Sequence, residues 1–286
     1  MIVVTTPTGA IGSKLVRTLL DHDSLVRVIV RDPARLPDEI RDRIDVIPGT
    51  HADPDVVDKA FAGADAVFWL VPPNVRAESL DAAYLDFTRP AVKALAAQGV
   101  QRVVSVSALG RGTPWADRAG LVTASLRMDD LLAGAGTRFR ALALPSFMDN
   151  VLRQKAAIVD EGVLRDPLDP DAKHPTACTA DFAAAAARLL LDDTWTGQGS
   201  QAVLGPEDLS GNDKAAILAE VLGRPVRYEM VPPDAFRAGL SGLSEAMIHG
   251  FYDMMIAKRA GMDNAERRTP ETASPTTFRD WAATVF

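Results

Sequence analysis

The chain opens on a short β-branched run, Ile2-Val3-Val4, which passes through a glycine-bearing turn, Thr5 to Ser13, into a helical period at Lys14 to Leu20. The alternation then recurs. Leu25 to Val30, Asp45 to Ile47, Ala66 to Leu70, Arg102 to Val106 and Phe139 to Leu144 read as strands, with helices expected near Val56 to Phe61, Pro90 to Gln98 and Leu126 to Ala133. Strands separated by helices cannot be joined by tight hairpins, so they pair in parallel through right-handed crossovers. The expected class is therefore α/β, a doubly wound parallel sheet covered by helices on both faces.

After Pro145 the rhythm breaks. A Pro- and Asp-rich stretch runs from Asp166 to Pro175, followed by an alanine-leucine helix at Asp181 to Leu191 and a strand-like Gln201 to Leu204. A helix at Asn212 to Leu222, a strand at Val226 to Met230 and a largely helical tail from Pro233 complete the chain. A length of 286 residues suits one α/β core with a smaller attached lobe. The expected division is a nucleotide-binding core over 1–150 and a smaller C-terminal substrate lobe over 151–286, some of whose segments fold back on the core.

The net charge of −7 argues against a nucleic-acid partner, because neutralising many phosphates needs a basic surplus. No apolar run reaches the roughly 18 residues of a spanning helix, and the first residues form a strand instead of a signal core. A cytoplasmic protein without a membrane partner is expected; a homodimer is allowed. Cys178 is the only cysteine, so no intrachain disulfide can form, and it reads as a small buried hydrophobe. His22, His51, His174 and His249 lack the close spacing of a metal pair, and no metal is expected.

The first turn carries the chemistry. Between a strand and a helix, Gly9 and Gly12 let the backbone approach a pyrophosphate, whose charge the free amides and positive end of the next helix stabilise. This is a Rossmann-type arrangement, with Thr6, Thr8, Gly9, Ala10, Ile11 and Gly12 as candidate cofactor contacts. Thr6 stands where the usual fingerprint has a glycine. The second strand ends in Val30-Arg31-Asp32-Pro33. A guanidinium there grips a 2′-phosphate, whereas a carboxylate would accept from a 2′-hydroxyl, so Arg31 favours NADP(H) over NAD(H) and Asp32 pulls the other way.

The pattern resembles the NmrA-like branch of atypical short-chain dehydrogenase/reductases. The resemblance rests on Val4 to Gly12, Val28 to Asp32, Ala62 to Phe68, Gly99 to Val104, Pro145 to Asn150 and Leu222 to Val226, in that order and spacing. It implies that strand ends carrying Leu70, Val71, Pro72, Ser105 and Ser107 flank the ribose and nicotinamide, with Ser107 on the nicotinamide side. A serine there can equally be satisfied by backbone.

Many reductases of that superfamily use a Ser, a Tyr and a Lys, the lysine lowering the tyrosine's pKa for proton delivery. Here Val122 and Leu126 stand where the Tyr and Lys are expected, and none of Tyr84, Tyr228 and Tyr252 lies in that segment. Catalytic residues are left unassigned, with Ser107, His174 and Asn150 as candidates. Substrate contacts are sought at Trp69, Phe147, Met148, Asn150 and His174, with Trp115 and the run Phe251 to Ile256 also available. Each has a plainer reading: Asp149 and Asn150 as helix caps, His174 as a loop histidine, the aromatic and methionine side chains as core.

Two functions remain open on the sequence. One is an NADPH-dependent reductase of a ketone or quinone carbonyl on a small aromatic molecule, such as an aromatic polyketide, whose own phenol assists proton transfer. The other is a non-catalytic NADP(H) sensor that regulates a protein partner, as NmrA-like regulators do.

Overall fold

A computed structural model describes residues 1–286. The chain forms two compact units that interleave in sequence instead of dividing at one cut. The first comprises Met1–Ser107, Ala124–Ala143 and Phe182–Gln201; the second comprises Ala108–Thr123, Leu144–Asp181 and Ala202–Phe286.

The first unit is built on strands β1 (Ile2–Thr5), β2 (Val26–Val30), β3 (Asp45–Pro48), β4 (Ala66–Trp69), β5 (Arg102–Ala108) and β6 (Arg138–Leu144). Their order, with the edge strand Gln198–Ala202, is edge strand, β6, β5, β4, β1, β2, β3. The edge strand comes from the second half of the chain and covers the side of β6 that would otherwise expose unpaired backbone groups. This is why the core recruits residues well beyond 150.

β1 pairs in parallel with both β2 and β4, Val4 lying opposite Val28 and Phe68. β2 with β3 and β4 with β5 are also parallel. The strand order therefore reverses beside β1, and the carboxyl ends of β1, β2, β4 and β5 share one edge of the sheet. Open α/β sheets bind ligands at that reversal, where the crossovers diverge. β1 and β4 are buried along their whole lengths, as strands covered on both faces must be. Helix α1 (Gly12–Asp21) buries Leu15, Val16, Leu19 and Leu20, an i, i+1, i+4, i+5 stripe.

The helix expected near residue 126 runs from Leu121 to Ala133. The one expected at Pro90 begins at Phe87, preceded by a wide π turn at Ala82–Asp86. Pro90 sits inside that helix; its missing N–H and its ring disfavour ordinary i to i−4 bonding one turn earlier, where the π turn lies.

The second unit contains a three-stranded sheet in the order Asp208–Leu209, His174–Ala177, Ser146–Phe147, and a parallel pair of Val163–Asp166 with Arg227–Met230. Its core gathers Met148, Ile158, Leu164, Leu218, Phe278 and Trp281 around Cys178. The helix Gly211–Leu222 starts in a capping box: Ser210 Oγ accepts from Asp213 N–H and Asp213 Oδ2 accepts from Ser210 N–H, each at 3.0 Å. Gly211 is required because any Cβ there would collide with the Tyr228 ring. The Tyr228 hydroxyl lies 3.0 Å from the Asp166 carbonyl and 2.6 Å from that of Leu168, tying down the Pro- and Asp-rich loop.

Candidate nucleotide site and the polar clusters

The turn after β1 is closed by Gly9 N–H donating to the Thr6 carbonyl at 3.0 Å. Thr6 has φ 52°, so a β-branched residue occupies the left-handed conformation that a glycine would adopt without strain. Its Oγ1 is buried and has no partner. A Cβ on Gly12 would collide with the same Thr6 carbonyl, so only glycine lets α1 start this close to the turn.

No side chain caps α1, and its first turn carries no carboxylate. The amides of Thr8, Ala10 and Ile11 donate to no other backbone group. An uncapped helix start with free amides, an orphaned hydroxyl and no Cβ in the way fits a pyrophosphate.

At the end of β2 the Asp32 carboxylate accepts the Ala34 N–H at 3.0 Å and caps the short 3₁₀ turn Pro33–Arg35. One oxygen of the acid is thereby engaged by its own turn. Arg31 and Arg35 are both exposed.

The end of β4 is tied to β1. Thr5 Oγ1 donates to the Phe68 carbonyl at 3.1 Å and accepts from Leu70 N–H at 2.9 Å. His51 Nε2 donates to the Leu70 carbonyl at 3.0 Å, its ring lying edge-on to Trp69 and Phe87. Burial pulls the His51 pKa down to about 4, helped by the Arg31 guanidinium and opposed by the Leu70 carbonyl. His51 is therefore a neutral strut beneath Leu70, Val71 and Pro72. A lone histidine before a helix carries no distinguishing signal in the sequence.

Trp69, expected at a pocket mouth, is instead fully buried, its Nε1 donating to Thr88 Oγ1 at 3.2 Å. The alternation along β4 turns the indole into the helical layer, where packing takes all of its surface.

At the end of β5, Ser105 Oγ donates to Asp129 Oδ1 at 2.8 Å, and Ser107 Oγ donates to Asp129 Oδ2. Ser125 Oγ lies 3.5 Å from Ser107 Oγ. Asp129, Ser105, Ser107 and Ser125 are all buried. Ser125 and Asp129 are one turn apart on the helix Leu121–Ala133, so their side chains share a face. Val122 and Leu126 are buried apolar side chains, and Arg127 points outward to Asp81 at 2.5 Å. Ser105 and Ser107 stand out in the sequence as strand-end serines, whereas the only sequence signal for Asp129 is its place one turn after Ser125.

In the second unit, Met148 is core and 1% exposed, not an available pocket side chain. Apolar packing around Cys178 claims it. Burial raises the Cys178 thiol's pKa, leaving it protonated. Phe147 is half-buried and Asn150 exposed. Asp149 accepts Thr179 N–H at 2.9 Å and Thr179 Oγ1 at 2.7 Å, so it caps the start of the helix Thr179–Leu191. Trp115 is half-buried beneath the Arg118 guanidinium, 4.5 Å from the ring centroid. Met255 is buried, while Phe251, Tyr252, Met254 and Ile256 are half-buried. His174 is 5% exposed, with Nδ1 3.1 Å from Asn264 Oδ1.

A family model described as NAD(P)H-binding matches residues 7–193, and the model of the NmrA-like family matches residues 137–281. The chain belongs to the NmrA-like family of NAD(P)H-binding proteins. Among its relatives in this family is the (4-alkanoyl-5-oxo-2,5-dihydrofuran-3-yl)methyl phosphate reductase of Streptomyces griseus, 32% identical over 99% of this chain and 97% of the relative. An NAD(P)H azoreductase of Xenophilus azovorans is 28% identical over 85% of this chain and 81% of its own. The solved structure of an NADPH-dependent quinone oxidoreductase from Escherichia coli, complexed with NADPH, covers 100% of this chain and 99% of its own. It aligns at a TM-score of 0.82 and 23% identity, and shares the Rossmann-type fold. No helix of the NmrA-like chain is long and apolar enough to cross a membrane.

Proposed function

We propose that this protein is an NADPH-dependent reductase that delivers hydride to a conjugated acceptor, a quinone or an unsaturated carbonyl, in preference to an isolated ketone. The observation that carries the reading is the face of the helix Leu121–Ala133 opposite Ser107, which offers Ser125 and Asp129 and neither a tyrosine nor a lysine. Hydride addition to an isolated ketone leaves an alkoxide, a strong base that needs a positioned acid. Addition to a quinone or enone leaves a delocalised oxyanion, a much weaker base that water can protonate after release. A site without a strong acid suits the second class.

The relatives' names point the same way. A furanone phosphate, an azo compound and a quinone are all conjugated acceptors.

The nucleotide supplies the hydride when bound. The turn amides of Thr8, Ala10 and Ile11 would hold its pyrophosphate, Arg31 and Arg35 its 2′-phosphate, and the segment Leu70 to Pro72 its ribose side. Ser107 donates its hydroxyl hydrogen bond to Asp129, so only its oxygen lone pairs remain to receive a donor such as a carboxamide N–H. In the second unit, Phe147 and His174 supply an apolar surface and a polar contact for the substrate.

The test follows NADPH oxidation optically with quinones, unsaturated lactones and isolated ketones. Turnover of the first two classes without the third is expected. Tight NADPH binding with no turnover across the panel would overturn the reading and favour a nucleotide-sensing regulator.

A further inference from the structure

The π turn Ala82–Asp86 carries Tyr84 at its centre, and that residue is 9% exposed. No group of the chain hydrogen-bonds the Tyr84 hydroxyl, yet its oxygen is not sealed from solvent. The ring is therefore packed while the hydroxyl keeps an opening. A tyrosine hydroxyl in a buried setting normally finds a partner, and here the protein supplies none. Burial raises its pKa to about 12, so the group remains a donor at neutral pH.

The register of the sheet fixes where this turn stands. Trp69, the last residue of β4, lies opposite Ser105 of β5, and residues paired in this way point to the same face. Trp69 Nε1 donates to Thr88 of the helix Phe87–Ala97 and Ser105 Oγ to Asp129 of the helix Leu121–Ala133, so both helices cover that face. The first of them leaves β4 and returns to the start of β5, so its earlier residues lie toward the carboxyl edge. Tyr84, Thr88, Ala91 and Leu95 are all buried and form its inner side. Tyr84 precedes Thr88 by one turn, about 5–6 Å along the axis. Ser107 follows Ser105 by two residues, about 6–7 Å along the strand. Both steps run the same way and end at about the same height, on the edge where open α/β sheets bind ligands. Arg127 holds the turn there, donating to both carboxylate oxygens of Asp81 at 2.5 and 3.0 Å.

Two hydroxyls at that height thus have opposite roles. Ser107 is committed as a donor to Asp129 and meets a ligand as an acceptor, whereas the Tyr84 O–H is uncommitted. Hydride addition to a conjugated acceptor moves an electron pair onto the acceptor oxygen. We propose that Tyr84 is a catalytic residue that donates a hydrogen bond to that oxygen and stabilises the delocalised oxyanion. The Tyr84 O–H bond stays intact; water supplies the product's proton after release, and the nucleotide leaves oxidised. Tyr84 stands on a different element from Val122, where the superfamily's tyrosine is expected. Its part in turnover rests on the reductase reading, whereas its affinity for an oxyanion does not.

Lawsone, a hydroxynaphthoquinone that is an anion at neutral pH, reads the site without turnover. In calorimetry on protein saturated with NADP+, the wild type should bind lawsone at least about tenfold more tightly than Tyr84→Phe, with NADP+ affinity equal in the two. With menadione as acceptor and NADPH saturating, kcat should fall about a hundredfold in Tyr84→Phe. Phenylalanine keeps the ring and breaks no hydrogen bond within the chain, so the melting temperature should not drop by more than about 2 °C. Equal lawsone affinity in the two proteins, no binding by the wild type, or a kcat that stays within about threefold would overturn the proposal. So would a variant that melts well below the wild type or fails to fold, because the hydroxyl would then have a partner inside the protein. Lawsone selectivity that is lost in Tyr84→Phe, in a protein that turns over no quinone, would uphold the oxyanion site and sink the reductase reading instead.

Discussion

Asp129 accepts the Ser105 hydroxyl at 2.8 Å through one oxygen and the Ser107 hydroxyl through the other, so one buried carboxylate engages both serine donors at the end of β5. A serine bonded in this way is an acceptor toward anything else it meets, and it cannot also donate to a developing oxyanion. The arrangement separates Ser107 from the acid role that its position suggests.

Ser107→Ala should therefore lower kcat by less than about tenfold, against the 10²–10³ typical when an oxyanion donor is removed. A larger fall in kcat at saturating NADPH would restore Ser107 as a donor. Asp129→Ala should instead destabilise the fold by about 2–4 kcal/mol in urea unfolding, since it strands two buried hydroxyls.

Asp32 caps the Pro33–Arg35 turn at the end of β2, beside the exposed Arg31 and Arg35 proposed to hold the 2′-phosphate. Arg31→Ala should raise the KM for NADPH by about tenfold or more and leave that for NADH nearly unchanged, because a charge-assisted bidentate contact is lost only with the phosphorylated nucleotide. Equal effects on the two nucleotides would contradict the assignment.

Gly12→Ala places a methyl against the Thr6 carbonyl. The turn must open to admit it, and the amides of Thr8, Ala10 and Ile11 lose their common direction. Nucleotide binding measured by calorimetry should fall by at least about a hundredfold, equivalent to roughly 3 kcal/mol; wild-type affinity would show that the pyrophosphate lies elsewhere.

The buried His51 makes stability depend on pH. Unfolded, it protonates near 6.5; folded, only near 4. Between those values the unfolded chain binds more protons, so stability is full above about pH 7, declines as pH falls toward 4 and levels below that. The whole shift corresponds to about 3–3.5 kcal/mol. His174, lowered for the same reason of burial, contributes in the same direction. Urea unfolding at about pH 7 and pH 5 should show the loss in the wild type and a shallower one in His51→Phe, which keeps the ring contacts with Trp69 and Phe87. Identical slopes would remove His51 as a source.

The parallel sheet, the first turn and the choice of nucleotide were legible in the sequence because each rests on local chemistry. β-branched runs spaced by helical periods permit one kind of connection, and glycines between a strand and a helix serve few purposes. Thr6 is instructive: the sequence marks it as a departure, yet the backbone keeps the left-handed φ of 52° that the turn requires, since closure of Gly9 N–H on the Thr6 carbonyl fixes the path.

What the amino-acid order could not determine is which polar and aromatic side chains find each other. Trp69 and Met148 read as pocket residues and became core, because burial depends on what packs against a side chain and not on its chemistry alone. Asp129 is unremarkable in its helix until that helix's face is laid on β5, and Asn264 meets His174 only when segments distant in sequence converge. Local periodicity settles the framework, whereas hydrogen bonds between residues far apart in sequence exist only once the chain has been brought together.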